Sequence, residues 1–122
     1  MYKRQSVDNT IKEHFERYGY LCDTHTAVAL NVYDAYVAET GDDIPTVVDS
    51  TASPYKFSKS VLAAVTGETP DGDEFSMVDK LHELTGAEVP APLAGLKNKQ
   101  VRFTNVCDKE NMCDMVFSLL NL

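Results

Sequence analysis

The chain has 122 residues, 43% hydrophobic and 25% charged, with 11 Lys and Arg against 19 Asp and Glu for a net charge of −8. That is globular composition, which argues against disordered, collagenous and coiled-coil classes. The acidic balance argues against nonspecific nucleic-acid binding, and no run approaches the ~20 apolar residues of a bilayer span.

Met1-Tyr2-Lys3-Arg4-Gln5 is basic, but no apolar segment follows it, so no secretory signal is read. Without one, Cys22, Cys107 and Cys113 are expected as reduced thiols in a cytoplasmic protein. No histidine stands near Cys107 and Cys113, and their spacing is too wide for a zinc pair, so no metal site is expected.

The first helix is predicted over 9–18, where Ile11, Phe15 and Tyr18 fall on one face and Gly19 closes it. Tyr20-Leu21-Cys22 is a short apolar connection. A longer helix is predicted over 26–40, started by Thr24 or Thr26 and ended by Gly41. Val28, Ala29, Val32, Tyr33, Tyr36 and Val37 give it a broad apolar face. After the turn at 41–45, Thr46-Val47-Val48 reads as a buried strand, short and β-branched without polar alternation. A helix over 58–65 follows, with Phe57, Val61, Leu62 and Val65 inward and Gly67 after it. Beyond an acidic loop at 68–73, another helix over 74–85 buries Met77, Val78, Leu81 and Leu84 before Gly86. Val89-Pro90-Ala91-Pro92 is a stiff connector with one helical turn near 91–96. Residues 100–106 read as extended. Asp108 is placed as the cap of a last helix striped by Met112, Met115, Val116, Leu119 and Leu120.

These elements predict an α/β fold class: mostly helices, one central parallel strand about 45–50 and a short second strand about 100–106. A buried parallel strand needs neighbours on both edges, and this chain offers at most the second strand.

The most informative segment for chemistry is the strand-to-helix junction Asp49-Ser50-Thr51-Ala52-Ser53-Pro54-Tyr55-Lys56-Phe57. Hydroxyls and a lysine cluster there, at the kind of strand end where α/β proteins bind ligands. The same residues also serve as ordinary backbone caps, and composition alone leaves both uses open. His25, beside Asp23, Thr24 and Thr26, is placed to cap, to orient a loop or to titrate near neutral pH. His14 and His82 read as solvated helix residues. Asp71-Gly72-Asp73-Glu74 lacks the full ligand pattern of a calcium loop. There is no P-loop, dinucleotide fingerprint or nucleophile elbow.

Two blocks carry a resemblance. Ser50-Thr51-Ala52-Ser53-Pro54-Tyr55-Lys56-Phe57 resembles a segment near the end of threonine synthases of the bacterial and fungal type. Upstream, Tyr18-Gly19-Tyr20-Leu21-Cys22-Asp23-Thr24-His25-Thr26-Ala27-Val28-Ala29 is similar to that family's YGYLxDPHTAVA run, except that Thr24 stands where proline is usual. Leu81-His82-Glu83-Leu84-Thr85-Gly86, and Gly95-Leu96-Lys97 through Val101-Arg102, fit its carboxy-terminal tail.

The resemblance implies the carboxy-terminal part of a pyridoxal-phosphate enzyme of fold type II, similar to the tryptophan synthase β chain. Its reaction converts O-phosphohomoserine and water to threonine and phosphate. Thr51 is the residue carried over as cofactor-binding, its hydroxyl facing the pyridine nitrogen, with Ser50 or Ser53 in its place if the register shifts. The Schiff-base lysine is implied to lie upstream. Lys56 and Lys59 are not substitutes for it, and Lys56 is left unassigned. Residues 6–122 are accordingly expected to be a C-terminal fragment, inactive alone, whose partner is the N-terminal part of the same enzyme. Residues 1–5 resemble translated sequencing adapter. The alternative is a free-standing noncatalytic binding or assembly domain derived from such a tail.

Overall fold

Apolar spacing and strong caps set the helices of this chain. The computed structural model describes residues 4–122, with side chains from Gln5 onward. Its elements are α1 (Arg4–Tyr18), α2 (Thr24–Thr40), a 3-10 turn (Pro54–Phe57) leading into α3 (Ser58–Thr66), α4 (Glu74–Thr85), and α5 (Ala91–Ala94) running into a second 3-10 turn (Gly95–Asn98). A third 3-10 turn (Lys109–Asn111) precedes α6 (Met112–Leu120).

The described residues contain no strand, which overturns the predicted α/β class. Residues 45–50 and 100–106 carry no regular secondary structure. Val47 is 94% exposed and Val106 88% exposed. The side-chain signature of a strand was present in Thr46-Val47-Val48, but a strand is a property of a pair. Its N–H and C=O groups need a neighbouring chain, and none stands beside them among the described residues. Local side-chain bonds hold the segment instead: the Ile44 N–H donates to Asp42 Oδ1 at 3.0 Å, and Thr46 Oγ1 to the Ile44 carbonyl at 3.0 Å.

The helical predictions fare better. α4 has the expected limits, and Gly86 after it takes φ 68°, the left-handed conformation that a helix end demands and glycine adopts without strain. α1 begins five residues earlier than its apolar spacing predicts, at Arg4. Of the stretch likened to adapter, Met1 to Lys3 lie outside the described residues, while Gln5 bonds Asn9 at 3.1 Å within α1. α2 starts on Asp23, not on Thr24 or Thr26: Asp23 has extended backbone, and its carboxylate accepts the His25 N–H.

α1 packs on both α2 and α3, and α3 packs on α4. Ile11, Ala27, Val61 and Leu81 are fully buried at this junction, joined by Cys22, Leu62 and Met77. Tyr55 in the first 3-10 turn enters the same core and donates its hydroxyl to the Ala87 carbonyl at 2.6 Å, tying the turn to the end of α4. Leu84, predicted inward, is 54% exposed and lines an open groove with Leu62. α6 has its apolar stripe but no buried residue.

Candidate functional site

The junction at 49–57 is fastened to the first turn of α2. Asp23 lies at the centre, with a fully buried side chain. Its Oδ1 accepts the His25 N–H at 2.8 Å and lies 3.1 Å from His25 Nδ1. Because a carboxylate only accepts, Nδ1 carries the proton in that pair. Oδ2 accepts the Thr26 hydroxyl in a short bond. Burial alone would push Asp23 up. The Thr26 hydroxyl, the His25 N–H and the His25 ring outweigh it and hold the carboxyl below its ordinary value. Asp23 is therefore ionised at neutral pH.

Thr26 Oγ1 lies 3.1 Å from Ser50 Oγ, which connects the two segments of the chain. Seven residues on, the Phe57 ring meets the His25 ring at 4.9 Å between centroids and 55° between planes. The junction is thus held near both ends by consecutive residues of α2. Thr51, the predicted cofactor contact, lies between these ties and is exposed. Ser50 is bonded to Thr26, and Ser53 accepts the Tyr55 N–H at 3.3 Å as the cap of the 3-10 turn. Lys56 and Lys59 are exposed. Of the predicted hydroxyls, those of Ser50 and Ser53 have local structural partners, and that of Thr51 belongs to an exposed residue.

Sequence reasoning missed Asp23 as the hub. The signal was available, since aspartate is a stronger N-cap than threonine and stands three residues before Thr26. It also misread His14, whose side chain is only 14% exposed and whose Nε2 lies 2.9 Å from Asp34 Oδ2. That pair borders a cavity of about 410 Å³ under Tyr18, Tyr33 and Thr46. His82, by contrast, is exposed as predicted, and its Nδ1 lies 2.7 Å from the Ala87 carbonyl that also receives Tyr55.

A larger concavity of about 530 Å³ opens between the end of α3 and α4, away from Thr51. Among the described residues no group of three or more His, Cys, Asp or Glu is placed to hold a metal ion, and no helix is long and apolar enough to cross a membrane.

A family model described as threonine synthase, C-terminal, matches residues 26–116. No curated protein matches the chain. The matched span includes Thr26 and the whole junction from Ser50 to Phe57, the segments that the structure brings together. With most of its length inside that match, the chain belongs to the threonine synthase C-terminal family.

Proposed function

We propose that this chain forms one wall of the pyridoxal phosphate site of a threonine synthase, the lyase that converts O-phosphohomoserine and water to threonine and phosphate. The observation that carries the reading is the Thr26–Ser50 hydrogen bond at 3.1 Å, which draws the two family-like blocks together beside an exposed Thr51.

The residues present fit the cofactor on this side. Thr51 offers a neutral hydroxyl, which donates to a ring nitrogen without holding that nitrogen protonated. Ser53 caps the following turn, two residues after the exposed Thr51. Bound pyridoxal phosphate supplies the electron sink; the protein positions it and tunes its ring. The resemblance puts the anchoring lysine upstream, so Lys56 and Lys59 are not given that role. Inactivity of the chain alone follows from the same reading, and the N-terminal portion of the same enzyme is its partner. The exposed apolar stripe of α6, with Val116 51% and Leu120 61% exposed, supports such a covering partner.

The test is reconstitution. The chain mixed with the N-terminal portion of a threonine synthase is expected to bind pyridoxal phosphate and release phosphate from O-phosphohomoserine, while neither part does so alone. Thr51→Val in the mixture is expected to weaken cofactor binding about tenfold, the effect of one lost hydrogen bond. A mixture that assembles but binds no cofactor overturns the reading and favours a noncatalytic assembly domain.

A further inference from the structure

The hydrogen-bond chain at the base of the junction has a fixed direction. The Thr26 hydroxyl owns one proton, and the Asp23 carboxylate beside it can only accept. That proton therefore points to Asp23. In the 3.1 Å contact between Thr26 Oγ1 and Ser50 Oγ, Ser50 must then be the donor. Donation runs inward, Ser50 to Thr26 to Asp23, and leaves Ser50 only lone pairs to show a ligand.

This has two effects on the neighbouring residue. Ser50 is removed as a rival donor for a ring nitrogen. Thr51 is also held by its neighbour: the loop before it is exposed from Gly41 to Thr51 at all but Asp42 and Val48, whereas Asp23 and Ala27 are 0% and Thr26 4% exposed. The one side-chain bond from Ser50 thus moors a loosely packed segment to the buried first turn of α2. Phe57, in a tilted ring contact with His25, moors the far side.

We infer that Asp23 and Thr26 are positioning residues for the cofactor, acting through Ser50 to set the place of Thr51 and to leave Thr51 as the donor. The inference rests on the cofactor reading proposed above. Asp23 meets Thr26, and Thr26 meets the loop at Ser50, so their effect passes through the backbone at 50–51.

The experiment uses two readouts. In the 122-residue chain without cofactor, amide hydrogen exchange at Ser50, Thr51 and Ala52 reports the mooring directly. In the reconstituted enzyme, the absorbance of bound pyridoxal phosphate and its dissociation constant report the site. Ser50→Ala, at an exposed position that folding tolerates, and Thr26→Val are each expected to speed exchange at Thr51 and to weaken cofactor binding about five- to tenfold, the loss of one hydrogen bond. Thr26→Ser is expected to restore both readouts. The double variant should be no worse than either single change, because both break the same chain. If Thr51→Val alters the cofactor spectrum while Ser50→Ala and Thr26→Val leave exchange and binding unchanged, the positioning role is wrong and the cofactor reading stands. If Thr51→Val itself is silent, the cofactor reading fails first. Should Thr26→Val not fold, the Ser50→Ala result decides alone.

Discussion

Thr26 Oγ1 and Ser50 Oγ lie 3.1 Å apart although 24 positions separate them in the sequence. The rest of α2 and the loop after it intervene, so the contact closes a long excursion of the chain. It also joins two short stretches that carry the family resemblance.

Asp23 anchors that contact through Thr26, and its removal is expected to be costly. Asp23→Ala leaves the His25 N–H and the Thr26 hydroxyl without their acceptor at a buried helix start. The expected loss is about 2 kcal/mol, from a missing cap and from bonds to a charged group. Urea denaturation at pH 7 measures it. The pH dependence has a definite sign. The folded-state value of Asp23 is lowered, so its stabilisation is complete above the ordinary aspartate range near 3.8 and is lost as pH falls through the folded value. Asp42 and Asp73 are lowered too and share the acid limb. Asp23→Ala should therefore flatten the decline below pH 4 without abolishing it. An unchanged acid limb would remove Asp23 from the account.

The three thiols are expected to divide by reactivity. Burial, and then the neighbouring Asp23 carboxylate, push the Cys22 thiol up to about 11. Cys113 is exposed and Cys107 partly so. Thiolate is the reactive form, so a thiol reagent at pH 8 should label Cys107 and Cys113 quickly and Cys22 only after denaturant is added. Rapid labelling of all three would show that the core around Cys22, just before α2, opens readily.

Tyr55→Phe tests the tie between the junction and α4. The Tyr55 hydroxyl reaches the Ala87 carbonyl at 2.6 Å, but His82 Nδ1 reaches the same carbonyl at 2.7 Å. Loss of one donor therefore leaves the carbonyl paired, and the expected cost is about 1 kcal/mol. Combining Tyr55→Phe with His82→Ala should cost more than the sum of the two single changes, which a double-mutant cycle measures.

Leu81 and Phe117 contrast a core residue with a residue on an uncovered stripe. Leu81 is 0% exposed and Phe117 53% exposed. Leu81→Ala is expected to cost about 3 kcal/mol through lost transfer energy and a cavity. Phe117→Ala should leave the thermal midpoint of the chain within the error of measurement. A large loss from Phe117→Ala would mean that α6 is packed in solution.

The helices were legible because their signals are local. Spacing of Met77, Leu81 and Val78 and the stops at Gly67 and Gly86 need no knowledge of distant residues. The strand readings failed, for the opposite reason. Val47 and Val48 have the composition of a strand, but pairing depends on what lies alongside, and no pairing appears among the described residues. Of the junction, Thr51 was read from a motif and stands exposed. The Asp23–Thr26–Ser50 chain was not, since a bond across 24 positions leaves no periodic trace. His14 was read as a solvated helix residue between Glu13 and Phe15, whereas its partner Asp34 comes from α2.

The double packing of α1 decides how the chain would respond to being cut. The segment from Asp43 to Val47 is exposed and lies outside every helix, which makes it an accessible point for a protease. A cut there divides α1 and α2 from α3 and α4 along the backbone. It does not divide them in space, because α1 lies against α2 on one side and α3 on the other. The two pieces would remain a single particle, held by the face that contains Ile11, and the break would show only after denaturation.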